Sequence, residues 1–358
     1  MRILQAGNAN FGYVMARELR KRGIESELLV SKQIISGQIN SVNNPFNLDK
    51  QLKGNYPEWL HFYDLSKKGW QLQILRMMRK YDIIHAYMEL PILSMLSRKP
   101  YLAQSGGDDL RELAFSNSFK GRLLRRAYKK ANAFVYVWPP HKTYVEKLKL
   151  KNPIYIPRTW DISNFSNKKY EPSLELPLKI FHPTGQDWEM KGNYKFLKAF
   201  IRLCKEKQDV FLYYVKWGKD VSKASKLLDD PDVKKRIQFI LGPISREEMT
   251  EYMSKSDILV DQFNSGSFTR TGIESFAFGI PLMLNLDEKL HEELHGEIPS
   301  IINAQTEDKI YDQLKKYVKS KDGLLEIGIN GQKWGNKYFN LEKNVEKFIE
   351  IYKNILHK

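Results

Sequence analysis

Hydrophobic and polar positions along this chain alternate between two kinds of segment. Short apolar runs such as MRILQAG and IESELLV have the composition of buried strands, and between them Tyr13–Arg22 repeats its apolar residues at helical spacing until Gly23 ends it. The alternation continues through the strands YDIIHAY, KPYLAQ, AFVYVW and NPIYIP and the helices GRLLRRAYKKA and HKTYVEKLKL. Strands that alternate with helices predict a parallel sheet covered on both faces.

A polar segment without a clear period, RTWDISNFSNKKYEPSLELP, interrupts this pattern and is interpreted as an interdomain linker. The alternation then restarts with LKIFHP, NYKFLKAFIRLCKE, VFLYYVKW, VSKASKLL, IQFILG, REEMTEYMSK, DILVDQF and PLMLN. The last segment, WGNKYFNLEKNVEKFIEIYKNILHK, is predicted as one long helix. We therefore predict an α/β fold with two doubly wound domains, residues 1–165 and 166–335, followed by a C-terminal helix over 336–358.

Composition narrows the class of protein. A chain of 358 residues exceeds the usual size of one domain, and 42% hydrophobic residues suffice for two cores. No apolar run approaches the length of a membrane span, and the first residues lack the apolar stretch of a signal peptide. Cys204 is the single cysteine, so no intrachain disulfide can form, and no Cys/His spacing suggests zinc. These features predict a cytoplasmic protein.

Charge is distributed unevenly along the chain. Residues 1–165 carry 27 Lys and Arg against 13 Asp and Glu, a net charge of +14, whereas the remainder is almost neutral. The first half is therefore expected to meet an anionic partner, which can be nucleic acid, a membrane surface or an acidic ligand. Because no helix-turn-helix or RNA-binding pattern is present, we expect no nucleic-acid partner.

The stretch FNSGSFTRTGIESFAFGIPLML carries the clearest candidate chemistry. DILVDQF brings the chain to the carboxyl end of a strand, and a loop of small residues then leads into a helix. The amides of Thr269, Arg270, Thr271 and Gly272 would bind a phosphate there. Glu274 in the first helical turn would accept bonds from a vicinal diol such as ribose, or it would simply complement the helix dipole.

Two neighbouring segments extend this candidate site. Lys191 stands just before a helix that follows the strand LKIFHPTG, where its charge can reach a pyrophosphate. After the strand IQFILG, a Gly-Pro turn leads to Ser245 and Glu248, whose spacing predicts a capping box.

The order of these residues resembles the nucleotide-sugar-binding domain of GT-B glycosyltransferases, in particular the retaining group called family 4. Gly185, Lys191–Gly192, ISREEMTEYMSKSDILV and Glu274 with its apolar tail carry the resemblance, and YDIIHAY, SGGDDLREL and IYIPRTWD extend it into the first half. It implies two Rossmann-like domains that face a cleft, with Lys191 on the donor diphosphate, Glu274 on the ribose, and Gly242, Pro243 and Ile244 beside the base.

The sequence departs from the family pattern at several positions. Gly266 replaces the first glutamate of the family's pair, and neutral Gln186 replaces an arginine beside the donor diphosphate. Arg270 would supply the second positive charge there, or it would be an ordinary solvated loop residue. The family often has a histidine after the strand that here reads YLAQ, and this chain has none in that loop.

Three residues of the first half are candidates for a catalytic role. His85 would orient the sugar or the acceptor, or it would be a buried histidine bonded to a backbone carbonyl. Asp108 and Asp109 precede the helix LRELAF; one of them would cap that helix, and the other would meet a sugar or acceptor hydroxyl.

The loop after the first strand, GNANFG, lacks the middle glycine of a dinucleotide fingerprint. The resemblance places Gly7 and Gly12 beside the donor phosphates and Asn8 and Asn10 beside the acceptor. An ordinary strand-to-helix turn explains the same residues.

The segment KGRLLRRAYKKA predicts a basic amphipathic helix. One face is apolar, and the other presents cations that include Arg122, Arg125, Arg126, Lys129 and Lys130. Such a helix would hold the protein peripherally on an anionic membrane, or its apolar face would pack on the sheet with its charges solvated.

These observations lead to one function and an alternative. We expect a glycosyltransferase that moves a sugar from a nucleotide-diphosphate sugar to a glycan or lipid-linked acceptor, with retention of configuration and without a metal or cofactor. The alternative is a non-catalytic nucleotide-sugar binder or partner subunit, which the departures at Gly266 and Gln186 favour.

Overall fold

The computed structural model describes residues 1–35, 56–158, 170–173 and 175–357. The chain forms two compact units, of which the first comprises Met1–Asp161 with Phe339–Lys358 and the second Ile162–Tyr338. Each unit has its own parallel sheet with helices, so the predicted fold of two doubly wound α/β domains is confirmed. The predicted domain ends at residues 165 and 335 lie close to the unit boundaries after residues 161 and 338.

The first unit is built on a seven-stranded parallel sheet. Its strands are β1 Arg2–Ala6, β2 Glu25–Ser31, β3 Leu60–Tyr63, β4 Ile83–Tyr87, β5 Tyr101–Gln104, β6 Ala133–Tyr136 and β7 Pro153–Tyr155, in the order β3-β2-β1-β4-β5-β6-β7. Its helices are α1 Ala9–Lys21, α2 Lys32–Ile35, α3 Trp70–Met78, α4 Pro91–Ser97, α5 Asp108–Arg111, α6 Phe119–Lys130, α7 His141–Leu148 and α17 Leu341–Leu356, with a 3₁₀ turn at Leu113–Phe115.

The second unit has a six-stranded parallel sheet. Its strands are β8 Leu178–His182, β9 Val210–Lys216, β10 Ile237–Leu241, β11 Ile258–Val260, β12 Leu282–Leu284 and β13 Ile302–Asn303, in the order β10-β9-β8-β11-β12-β13. Its helices are α8 Trp188–Lys191, α9 Asn193–Lys205, α10 Val221–Leu227, α11 Pro231–Lys234, α12 Arg246–Ser254, α13 Arg270–Phe278, α14 Glu288–His295, α15 Glu307–Lys319 and α16 Leu324–Tyr338.

The central strands form because both faces of each sheet are covered. Every residue of β4 is buried, which is why its sequence is apolar without alternation. The strand order reverses between β1 and β4 in the first unit and between β8 and β11 in the second. Loops at the carboxyl ends of strands at such a reversal are the usual ligand-binding positions of open α/β sheets.

The C-terminal segment differs from the predicted single helix. The chain breaks between α16 and α17, where the Asn340 side chain caps α17 by accepting a hydrogen bond from the Lys343 amide. Helix α17 then packs Val345, Phe348 and Tyr352 against the strands of the first unit. A cap residue inside an apolar periodic segment therefore explains why one predicted helix is two.

Packing in the second unit depends on close helix contacts and on one buried ion pair. Helix α16 approaches α13 so closely that a Cβ on Gly328 would lie 2.2 Å from the Gly279 carbonyl oxygen. The Lys321 ammonium lies 2.8 Å from Asp257 Oδ2, with both side chains buried, and it also donates to the carbonyls of Ser173 and Glu175. These bonds attach Ser173 and Glu175 to the rest of the second unit.

Several elements were not predicted, among them the short β3, α3 and α4 and the longer helix α15. Residues 159–169 and 174 of the predicted linker lie outside the described residues. None of the described helices combines the length and hydropathy needed to cross a lipid bilayer.

Candidate functional site

Two loops meet where the strand order of the second unit reverses. One follows β8 and leads to Lys191, and the other follows β11 and leads to α13; the two strands are neighbours in the sheet. The Phe263 amide donates to the Lys191 carbonyl at 2.6 Å, and the Asn264 side chain donates to the Glu189 carbonyl at 2.9 Å. The loops therefore hold each other at the carboxyl edge of the sheet.

Asp261 lies at the centre of this arrangement, and sequence reasoning missed it. Its carboxylate is fully buried: Oδ1 accepts from the hydroxyls of Thr184 at 3.0 Å and Thr269 at 2.8 Å, and Oδ2 accepts from the Thr269 amide at 2.7 Å. Burial raises the pKa of this carboxyl. An acid directly after the apolar strand DILV was the signal that could have identified it.

Lys191 lies at the same edge, as predicted. Its ammonium donates to the Gly185 carbonyl at 3.2 Å and lies 5.8 Å from the centroid of the Trp217 ring. Burial lowers the pKa of Lys191, and the charges of Asp261 and Asp187 oppose that effect. The ammonium is therefore a partly desolvated cation, for which a bound anion gains more than it would at an exposed lysine.

Glu274 is the fifth residue of α13 and so lies beyond the first turn in which it was predicted; it is buried, with 4% of its area accessible. Its Oε1 accepts from Arg270 Nε at 2.7 Å. Burial raises the pKa of Glu274, and the guanidinium groups of Arg270 and Arg246 oppose that effect. Asp261 acts electrostatically on both Glu274 and Lys191, so these charges form one cluster.

The predicted phosphate cradle is smaller than the sequence suggested. The Thr269 amide donates to Asp261, and the Thr271 amide donates to Thr269 Oγ1 at 3.2 Å as part of the helix cap. These two amides are bonded within the loop and are not available to a phosphate, which corrects the prediction for Thr269 and Thr271. Gly272 is required by packing, since a Cβ there would lie 2.5 Å from the Phe268 Cβ.

Trp217 packs between the turn after β10, which was predicted to border the base, and the loop after β8. Its indole Nε1 donates to the Pro183 carbonyl at 2.7 Å. A Cβ on Gly185 would lie 3.0 Å from this ring, and one on Gly242 would lie 2.9 Å from it. Both glycines are therefore needed for close packing on the same indole. Gly242, Pro243 and Ile244 follow β10 at this edge, and the predicted capping box of Ser245 and Glu248 is confirmed.

His85 does not occupy the position that its predicted role requires. It has no exposed surface; Nδ1 lies 2.7 Å from the Tyr352 hydroxyl and Nε2 lies 2.9 Å from Gln104 Oε1. Burial lowers its pKa to about 3, so the ring is neutral. The structure corrects the expectation that His85 faces a ligand, because α17 covers its side chain and both ring nitrogens are bonded.

The N-cap of α5 is Gly107, so neither aspartate after β5 is the cap that was predicted. Asp109 is buried: Oδ1 accepts from the amides of Gly106 and Gly107, and Oδ2 accepts from the Tyr128 hydroxyl at 2.6 Å. Its carboxylate therefore has a structural role, contrary to the prediction that Asp109 contacts a ligand. Asp108 is exposed at the carboxyl edge of the sheet and pairs with Arg111.

The hydrogen bonds of the loop after β1 are those of an ordinary strand-to-helix turn. Asn8 Oδ1 accepts from the amides of Asn10 and Phe11, both at 2.9 Å, so this oxygen caps α1 instead of contacting an acceptor. Gly7 adopts a φ of +105°, and a Cβ on Gly12 would lie 2.6 Å from Leu28 Cδ1. Asn10 is half-buried in the first turn.

The basic helix α6 packs its apolar face inward, with Leu124, Ala127 and Tyr128 buried. Arg125 donates to the carbonyls of Ala114 and Ser116, so it supports the preceding turn. The alternative in which the apolar face packs on the unit is therefore the observed one. The cations that remain exposed on α6 are Lys120, which pairs with Glu89, and Arg122, Arg126, Lys129 and Lys130.

Comparison with known proteins identifies the fold. No protein-family model matches the sequence, and no curated protein matches it. Among solved structures, HepE of Anabaena, solved with UDP, is similar at a TM-score of 0.74 and 13% identity, over 99% of this chain and 100% of that one. Sucrose-phosphate synthase from Thermosynechococcus elongatus matches at 0.69 and 13%, over 100% of both chains. A glycosyltransferase from Rickettsia africae matches at 0.70 and 17%, over 99% and 98%.

The chain has the GT-B fold. Its departures from the expected GT-B residues have structural causes in the second unit. Gly266 adopts a φ of +68°, where a glutamate would be strained, and a Cβ there would lie 3.2 Å from the Asp287 Cβ. The loop between β11 and α13 therefore follows a path that requires glycine at this position.

Gln186 is fully buried and serves the loop after β8. Its Nε2 donates to His182 Nε2 at 3.0 Å, while His182 Nδ1 donates to the Val260 carbonyl at 3.1 Å. Burial lowers the pKa of His182 to about 4, so this neutral imidazole can accept. Gln186 Oε1 is a buried acceptor for which the described part of the chain provides no donor. Where the family has a cation, this protein has a neutral amide that ties the loop to the sheet.

Proposed function

We propose that the protein is a glycosyltransferase that moves a sugar from a nucleotide-diphosphate sugar to a glycan or lipid-linked acceptor. The observation that carries the proposal is the charged cluster of Lys191, Asp261, Arg270 and Glu274 at the strand-order reversal of the second unit. The GT-B fold supports it, as do the structures of HepE, which were solved with UDP and with UDP-glucose.

Each charged group would have a distinct task. The Lys191 ammonium would pair with the donor diphosphate, with Arg270 at the start of α13 as the second cation. Glu274 would accept hydrogen bonds from the ribose hydroxyls while Arg270 remains on its Oε1. The turn at Gly242, Pro243 and Ile244 would border the base, next to Trp217.

The chemistry asks the protein mainly for charge stabilisation. In a retaining transfer, the bond between the anomeric carbon and the diphosphate oxygen breaks as the acceptor hydroxyl attacks the same face. The departing diphosphate takes the proton of that hydroxyl. Lys191 and Arg270 would stabilise the charge that develops on the leaving oxygen, and the low local polarity around Lys191 strengthens that effect. We propose that these cations act without a metal or cofactor.

A thermal-shift panel of nucleotides and nucleotide sugars tests the proposal. At saturating concentration a matching nucleotide diphosphate is expected to raise the melting temperature by a few degrees, since ligand at about 100 times Kd contributes about 2.7 kcal/mol. Lys191→Ala and Glu274→Ala are expected to reduce or abolish the shift. Lys198→Ala, an exposed lysine on the next helix, is the control and keeps it. If no nucleotide shifts the wild-type protein, the proposal is wrong.

One set of observations favours a non-catalytic nucleotide-sugar binder as the second candidate. Gly266 cannot readily be replaced by a glutamate, Gln186 is committed to His182, and His85 is enclosed. This candidate predicts nucleotide binding without turnover. Slow hydrolysis of the bound donor in the absence of acceptor would identify an enzyme, and binding with no hydrolysis or transfer would identify the binder.

The location of the protein is part of the proposal. Arg122, Arg126, Lys129 and Lys130 on α6 would attract an anionic membrane surface by about 1 kcal/mol each. Because the apolar face of α6 is buried, this attraction would be electrostatic and therefore sensitive to salt. We propose a cytoplasmic protein that associates peripherally with the inner face of the membrane.

A further inference from the structure

The first unit contains a basic groove, which is far along the chain from the charged cluster of Lys191, Asp261, Arg270 and Glu274. It lies between α3 and the strands β2 and β3, with a volume of about 750 Å³. Five cations line it, and the only carboxylate among its lining residues is Glu27; the cations are Arg2, Lys67, Lys68, Arg76 and Lys80.

One carboxylate offsets only part of the charge of these five cations. Glu27 is bonded to His61 Nε2 at 2.5 Å and to the Tyr81 hydroxyl, and Arg2 pairs with Glu25 at 2.8 Å. The other four cations are exposed, and none of them forms an ion pair with a described residue; they are Lys67, Lys68, Arg76 and Lys80. Like charges gathered along one groove repel one another, so an anionic ligand would be stabilised there.

The positions of the cations indicate an extended ligand. Lys67 and Lys68 precede α3, whereas Arg76 lies in its last turn and Lys80 just beyond its end. Nine helical residues at 1.5 Å each separate the two groups by about 14 Å. A single phosphate cannot contact both ends, so the ligand would carry several acid groups along its length.

The groove also offers contacts other than charge. Its lining includes the half-buried Trp70, whose ring centroid lies 5.8 Å from that of Tyr63 in a stacked arrangement, the amide of Gln73, and Leu72, which is 59% exposed. An aromatic ring beside an amide suits a sugar, which has an apolar face and hydroxyl edges.

We propose that this groove binds an acidic glycan chain, a segment of the acceptor of the transferase. The assignment of this glycan as the acceptor rests on the proposed function. Strands β3 and β1 are two steps apart in the sheet, about 10 Å. The loop of Lys67 and Lys68 follows β3 at the edge where the Gly7 loop follows β1. A chain lying in the groove therefore reaches the edge at which parallel α/β sheets bind their ligands.

Fluorescence anisotropy with labelled hexagalacturonate, a sugar chain with one carboxylate per ring, tests the groove at low salt. The Lys68→Ala/Arg76→Ala/Lys80→Ala protein is expected to bind it about tenfold more weakly than the wild type. A control with equal charge loss in the second unit, Lys205→Ala/Lys226→Ala/Lys333→Ala, is expected to bind as the wild type does. Neutral maltohexaose is expected not to bind.

Three results would overturn the inference. The first is equal weakening by the control substitutions, which would show non-specific charge attraction. The second is tighter binding of single-stranded DNA than of the glycan, when the groove substitutions weaken that DNA binding. The third is a loss of binding to anionic vesicles in the groove variant as large as its loss for the glycan. The nucleotide-induced thermal shift is measured on the same proteins: glycan binding without a nucleotide shift refutes the proposed function alone, and the reverse refutes this inference alone.

Discussion

Replacing Asp261 separates two explanations of how the loops of the second unit are held. If the three hydrogen bonds to its carboxylate hold them, an amide of the same shape can replace the acid. In Asp261→Asn the carbonyl oxygen can accept from the Thr269 amide, and the new NH₂ can donate to the hydroxyls of Thr184 and Thr269, which rotate to accept. If the negative charge beside Lys191 is what matters, Asn must be as damaging as Ala.

The expected loss in the free energy of unfolding follows from the hydrogen bonds of Asp261. Asp261→Ala removes an acceptor from three buried or half-buried donors, and a net loss of about 1 to 1.5 kcal/mol each gives about 3 to 5 kcal/mol in the free energy of unfolding of the second unit. Asp261→Asn keeps all three contacts and is expected to lose about 1 kcal/mol or less.

Native-state hydrogen exchange read by mass spectrometry measures each unit separately. Peptides from β8 and β11 report on the second unit, and peptides from β1 and β4 report on the first. Asp261→Ala is expected to speed exchange in the second unit only. A loss below about 1 kcal/mol for Asp261→Ala, or equal losses for Ala and Asn, would show that the hydrogen-bond account is wrong.

Two further predictions concern buried positions. Burial raises the pKa of Asp109 above its ordinary 3.8, so the folded unit holds this proton to higher pH than the unfolded chain, and stability decreases as pH rises through that interval. Asp109→Asn is expected to remove this decrease in urea midpoints measured from about pH 4 upward, and an unchanged pH profile would contradict the prediction. Gly328→Ala places a Cβ 2.2 Å from the Gly279 carbonyl oxygen and is expected to lower the free energy of unfolding of the second unit by about 2 kcal/mol. The exposed Lys333→Ala on the same helix should change it by less than about 0.5 kcal/mol in hydrogen exchange, and equal effects would refute the packing argument.

The fold was predictable because periodicity is a local signal. The apolar strands β1, β4 and β8 and the helices α1, α6 and α9 could be identified from short windows of sequence. Short elements such as β3, with four residues, leave too few positions for a period to emerge. The break between α16 and α17 was missed because Asn340 interrupts the pattern at a single position, and its capping bond is a property of the folded backbone.

The site was predictable in its location and less so in its contacts. Lys191 and Glu274 were predicted to lie at one edge of the sheet because each comes after the end of a strand, which sequence order reveals. The contacts of Asp261 with Thr184 and of His85 with Tyr352 join residues that are far apart in the sequence and meet only in the folded sheet or on a much later helix. A single sequence contains no local signal for such pairs, so buried polar residues were interpreted as ligand contacts.

The position of α17 has a consequence for how the protein is made. Gln5 and His85, which precede the second unit in the sequence, bond the hydroxyl of Tyr352, which follows that unit, and the Tyr87 hydroxyl lies 3.2 Å from His85 Nδ1. Until the ribosome has released that helix, the nascent first unit exposes an apolar face and a polar cluster that lacks its last member. The half that is synthesised first is therefore the half that is completed last, and chains that stop short of residue 352 leave it open to proteases and chaperones.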